Sequence, residues 1–209
     1  MRINVQDDPE QAIAAAQAAI GRGECVVLPT DTVYGIGADA TSATAVAGLL
    51  RAKGRGRDMP PPVLVSDVAM VRSLASAMSP SAVALGEELW PGALTLVVTA
   101  HSSLRMDLGD RYGTVAVRVP DHDFTRELLR ATGPLAVSSA NASGQPAATT
   151  VDEAEGQLGA SVAVYLDDGP AGDAVPSTIV DVTGERPRIV REGRIPRERI
   201  AEIAGDLVD

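Results

Sequence analysis

Eight short apolar runs, each bounded by turn-forming residues, constrain this chain more than any other feature. They are CVVLP (25–29), PVLV (62–65), ALTLVVTA (93–100), TVAVRVP (114–120), PLAVSSA (134–140), SVAVYLDD (161–168), STIVDVT (177–183) and PRIVREG (187–193). Runs of this length, rich in Val, Ile and Leu, read as buried strands. Helical stretches separate the early ones. Asp8 can cap a first helix that accepts Pro9 in its first turn, runs through EQAIAAAQAAI and stops at Gly21 and Gly23. Thr41 and Ser42 can cap ATAVAGLLRAK, which Gly54 terminates. Further helices are expected from Asp67, from Ser79-Pro80 to just before Trp90, over DFTRELLRAT, and from Pro196. The segment 101–113 is the clearest loop. Helices and strands alternate at first and strands cluster late. The pattern predicts a single α/β domain over residues 1–209, a twisted mixed sheet flanked by helices.

Composition narrows the function. Aromatics are only 2% of 209 residues, so the core must be built from Ala, Val, Leu and Ile. The net charge of −10 counts against an obligate nucleic-acid binder, which needs a basic surface. Cys25 is the only cysteine, which excludes an internal disulfide and a cysteine zinc cluster and reads as a small buried hydrophobe. The first ten residues lack a signal-peptide pattern, and no stretch approaches the ~18 apolar residues of a membrane span, so a cytoplasmic protein without a membrane partner is expected.

No GxGxxG or GxxxxGK[ST] motif is present. The two histidines, His101 and His122, have no ligand or triad spacing and read as loop or cap residues. Polar segments directly after apolar runs are more informative. Thr30, Asp31, Thr32 and Tyr34 follow CVVL, and Ser138, Ser139, Asn141 and Ser143 follow PLAV. In open α/β sheets ligands bind beyond the carboxyl ends of strands, although the same residues also make ordinary turns. Lys53, the only lysine among 18 basic residues, lies in a basic patch of Arg51, Arg55 and Arg57. If that segment is extended, the four cations share a face and Gly54 and Gly56 admit an anion. The alternative is a solvated helix end.

Together the stretches PTDTVYGIGADA, KGRGRDMP, WPGALTLVV, TVAVRVPDH, AVSSANASGQPA, and STIVDV followed by VREG resemble the YrdC/Sua5 family, the threonylcarbamoyl-AMP synthases of the tRNA t6A pathway. They occur in family order over about residues 10–195, and the chain resembles the short bacterial form. The resemblance implies a YrdC-like fold. It also implies a reaction of L-threonine, bicarbonate or CO2 and ATP, with Mg2+, giving threonylcarbamoyl-adenylate and pyrophosphate. By motif, Lys53 and Arg55 would be the catalytic cations holding the phosphates. Thr32, Tyr34, Arg118, Ser139 and Ser177 would bind threonine, and Thr114, Asn141, Thr149 and Arg191 the nucleotide. The product would pass to threonylcarbamoyl-transfer machinery, with only weak, salt-sensitive RNA binding. No metal ligand can be named.

The chain departs from the family pattern at Gly56, Met59 and Leu64, which removes a nucleotide contact at 59 and a threonine-side contact at 64. Two other readings stand beside the synthase: a double-stranded RNA-binding module, and a carbamoyl-adenylate transfer domain of the hydrogenase-maturation type.

Overall fold

Each of the eight apolar runs supplies a strand in the computed structural model, which describes residues 1–110 and 113–208; positions 111 and 112 of the expected loop lie outside the described residues. The elements in chain order are β1 (Arg2–Asn4), α1 (Pro9–Gly21), β2 (Val26–Leu28), β3 (Gly35–Asp39), α2 (Ala43–Lys53), β4 (Val63–Leu64), α3 (Val68–Leu74) and α4 (Pro80–Leu89). There follow β5 (Leu94–Thr99), β6 (Thr114–Arg118), α5 (Asp123–Thr132), β7 (Leu135–Ser139), α6 (Val151–Leu158), β8 (Val164–Asp167), β9 (Thr178–Asp181), β10 (Arg188–Arg191) and α7 (Arg197–Ala204). The strands form one mixed sheet in the order β1-β8-β2-β3-β7-β4-β6-β5-β9-β10.

The caps are those the sequence called for. The Asp8 carboxylate accepts from the Gln11 amide at 2.9 Å, and Ser42 Oγ accepts from the Ala45 amide at 3.2 Å. Each such cap is worth about 1 kcal/mol. Gly54 closes α2 in the left-handed conformation, φ 62°, and turns Arg55 off the helix axis. His122 caps α5, and Cys25 is buried, which pushes its thiol up to about 11.

Two strands and a helix, β1, β3 and α6, were not expected. β3 reads GIGAD, and its glycines ordinarily argue against a strand. Here they permit close approach. A Cβ on Gly35 would sit 2.6 Å from Val137 Cγ1, and one on Gly37 2.8 Å from Leu28 Cδ2. Only glycine lets those two side chains close over β3.

The two faces of the sheet are covered unequally. Val27, Ile36, Val63, Leu96, Val117 and Val180 point into one core beneath α2, α3, α4, α6 and α7. On the opposite face Leu28, Leu64, Leu135, Val137 and Leu166 pack under α1 and α5, through Ala12, Ala16, Leu128 and Leu129. That cover stops at β4. From β6 to β10 the same face carries Thr95, Val97, Ala116, Arg118, Ser177 and Ile179, and these line an open cavity.

The end of β10 lies against the start of β9 more closely than any side chain allows. A Cβ on Gly193 would fall 2.3 Å from Pro176 O and 2.5 Å from the Ser177 carbonyl carbon. Both obstacles are backbone, so Gly193→Ala should cost about 1–3 kcal/mol in urea denaturation. An unchanged midpoint would mean that β10 can shift freely.

Candidate active site

The cavity on the uncovered half-face has a volume of about 530 Å3. Its floor is β5, β6 and β9, and one wall is the β2–β3 turn with the loop after β7. Residues 59–62, Val190 and Arg191 also contribute to the lining. The cavity therefore lies over the sheet face, where the helical cover is missing, and reaches the polar segments that follow β2 and run from the end of β7.

Arg118 is held by two turns at once. It is 6% exposed. Its Nε donates to Gly92 O at 3.0 Å, Nη1 to Thr32 Oγ1 at 3.0 Å, and Nη2 to Asp31 Oδ1 at 2.6 Å. The turn supplying Gly92 is fixed by Trp90, whose indole N–H donates to Leu94 O at 2.8 Å. Asp31 also accepts from the Asp121 amide at 3.1 Å, and its carbonyl accepts from Arg194 at 2.6 Å. Burial lowers the Arg118 pKa while Asp31 opposes that fall. Three of the five guanidinium donors are engaged, so two remain.

Arg55 and Arg191 complete a cationic lining. Arg55 Nη1 donates to Ser138 Oγ at 2.9 Å, and its buried Nε has no partner. Arg191 Nη2 donates to Ser177 O at 2.7 Å and Ser177 Oγ at 3.2 Å. Burial lowers both pKa values, and for Arg191 the charges of Arg118 and Arg55 add to it. Among the described residues no carboxylate lines the cavity, and only Arg118 of the three forms an ion pair.

Lys53 is not in the lining. It is 3% exposed and stands behind the loop after β7. Its ammonium donates to the carbonyl oxygens of Ser139 and Asn141, the latter at 2.6 Å, with Asn141 Oδ1 at 3.4 Å. Its own carbonyl accepts from the Ser143 amide at 2.7 Å. Three acceptors around one compact head suit an ammonium, whereas a guanidinium is a wide planar fork. The arrangement with residues 51, 53, 55 and 57 on one extended face does not occur. The helix runs through Lys53, Arg51 is exposed on it, and Arg57 pairs with Asp107 and Asp110 at 2.6 and 3.0 Å.

The other expected residues divide. Thr32, Tyr34, Thr114, Ser139, Asn141 and Ser177 all line the cavity. The Tyr34 hydroxyl is committed to a turn, donating to Gly169 O at 2.6 Å and accepting from the Asp168 amide at 3.0 Å. Asn141 Nδ2 donates to Ala142 O and Gln145 O, both at 2.8 Å. Thr149 lies outside, and its hydroxyl donates to Glu153 at 3.0 Å. Sequence reasoning passed over Thr95, which is buried on the cavity floor with its hydroxyl 2.9 Å from Ser177 Oγ. Its only signal was a hydroxyl between two leucines, Leu94 and Leu96. Met59 and Leu64, the departures from the family pattern, both contribute apolar lining.

Burial, with Arg55 adding like charge, brings Lys53 down to about 8 from 10.5. The folded chain then holds fewer protons than the unfolded chain between those values, so this group's contribution to stability rises with pH across that window. The urea-unfolding free energy of wild type minus that of Lys53→Met should increase from pH 7.5 to pH 10. A constant difference would mean that the three oxygens fully offset burial of the charge.

A profile of the Sua5/YciO/YrdC family, described as telomere recombination, matches residues 18–193. A Mycobacterium tuberculosis protein provisionally named threonylcarbamoyl-AMP synthase is 54% identical over 201 residues, 95% of this chain and 93% of that protein. The Bacillus subtilis threonylcarbamoyl-AMP synthase is 37% identical over 205 residues, 96% of this chain and 58% of that one. The crystal structure of Pyrococcus abyssi Sua5 complexed with L-threonine aligns with a TM-score of 0.90 at 31% identity, covering 98% of this chain and 60% of the archaeal one. The chain thus spans about three fifths of those two longer relatives. Matching motifs, profile and fold together make the chain a member of the Sua5/YciO/YrdC family.

Proposed function

We propose that the protein is an L-threonylcarbamoyladenylate synthase, acting in the cytoplasm and handing its product to threonylcarbamoyl-transfer machinery for tRNA modification. The observation that carries the reading is three guanidinium groups converging on one cavity whose described lining holds no carboxylate, with Asp31 paired to Arg118 and Asp58 acting on Arg55 from outside that lining. Such a site favours a ligand with several negative charges, which a threonine carboxylate and an ATP triphosphate supply together. The named synthases among its relatives, and the archaeal one complexed with L-threonine, support it. No described helix is long and apolar enough to cross a membrane.

In this reading the two spare Arg118 donors take the threonine carboxylate, a planar match for the fork. Thr32 and Ser177 lie beside it. The threonine amine adds to CO2 and loses a proton to give a carbamate. A carbamate oxygen then attacks the α-phosphorus of ATP, and pyrophosphate leaves. Arg55 and Arg191 meet the phosphates, and Thr114 meets the nucleotide at the rim. Lys53 acts through the loop, fixing Ser139 and Asn141 where amino acid and nucleotide meet, and adds its charge from behind. Most of the acceleration in such a displacement is positioning and charge neutralisation, so no histidine base is needed. Mg2+ enters with ATP as part of the substrate, since the lining offers it no carboxylate.

Purified protein should release pyrophosphate from Mg·ATP only when threonine and bicarbonate are both present, with threonylcarbamoyl-AMP detected by mass. Release independent of threonine would point to an ATPase or a carbamoyl-transfer domain. Tight tRNA binding without turnover would point to the RNA-binding alternative.

Arg118→Lys keeps a charge beside Asp31 but loses the fork. Threonine's KM should rise on the order of 10–100-fold, the worth of a charge-assisted hydrogen bond, while that of ATP stays near wild type. A rise confined to ATP would move Arg118 to the nucleotide.

A further inference from the structure

The hydroxyls of Thr95 and Ser177 face each other on the cavity floor at 2.9 Å, and proton counting between them has a definite result. Ser177 Oγ also lies 3.2 Å from Arg191 Nη2, which can only donate. The pair therefore holds two hydroxyl protons. One is used between the two oxygens, and with Thr95 as the donor the free one belongs to Ser177. The other has no further acceptor among the described residues. With Ser177 already accepting from Arg191, it is directed into the cavity. The flanking residues say what would receive it. Leu96 pairs with Val117 across β5 and β6, and both point into the covered core. Thr95 and Arg118, one residue along each strand, turn to the opposite, open face.

We infer that Thr95 is a positioning residue for the amino-acid substrate: with Arg191 it locks Ser177 so that one hydroxyl proton is presented to an anionic oxygen of the ligand held at Arg118. This rests on the reading of threonine as that ligand. Val97, the next residue on the same face of β5, and Ile179, which lies opposite Thr95 on β9, are both apolar. The hydroxyl at 95 is therefore not demanded by packing.

The test is calorimetric titration of L-threonine, and separately of a non-hydrolysable Mg·ATP analogue, into the full chain. Thr95→Val keeps the side-chain shape and should weaken threonine roughly tenfold while leaving the nucleotide within twofold and Tm unchanged. Thr95→Ser, which restores the hydroxyl, should bind threonine within about threefold of wild type. Because Thr95 acts through Ser177, adding Thr95→Val to Ser177→Ala should cause no further loss. Thr95→Ala is carried in parallel in case the valine variant does not fold. Wild-type threonine affinity in Thr95→Val or Thr95→Ala, a loss confined to the nucleotide, or additive losses in the double variant would each overturn the inference alone. Failure of the wild-type protein to bind threonine would remove the inference together with the functional reading beneath it.

Discussion

A ten-stranded sheet needs both faces covered, and this one has helices for only one and a half. The second core ends at β4, where α1 and α5 run out. Beyond that line the side chains cannot all be Val and Leu without leaving a bare apolar surface on a chain of net charge −10. The strands mix hydroxyls and arginines with small apolar residues there, and a concave polar floor results. The site follows from where the cover stops.

Holding cations on such a floor is costly, because burial takes them out of water. The structure manages this with fixed acceptors instead of a matching set of carboxylates. Arg118 has one carboxylate, one carbonyl and one hydroxyl. Arg191 has a serine, and Lys53 two carbonyls and an amide oxygen. Removing one partner of a buried ion pair costs about 3–5 kcal/mol, which holds Arg118 against Asp31. Neutralisation is left incomplete, and a residual positive field remains over the cavity.

Much of this was legible in the sequence because the signals were local. Apolar runs, caps at Asp8 and Ser42, and the stop at Gly54 each depend on a few neighbouring residues. What escaped depends on partners far along the chain. β3 is a strand because Val137 and Leu28 close over its glycines, and nothing in GIGAD announces that. Lys53 was legible as exceptional but not as a tether, because its acceptors lie 86 and 88 residues away. Thr95 is meaningful only beside Ser177, 82 residues on. The motif order picked out most of the polar residues that line the cavity, whereas contacts across the sheet show how each of them is held.

Having its only lysine inside also changes how the chain meets chemistry from outside. Lys53 is the one ε-amine in the sequence, and it is 3% exposed. The folded surface therefore offers no lysine for acylation, ubiquitin attachment or cross-linking, however many arginines it displays. An acylating reagent can reach that nitrogen only when the loop after β7 has swung away or the chain has opened. The amine is thus a built-in clock for the opening of the loop that lines the cavity.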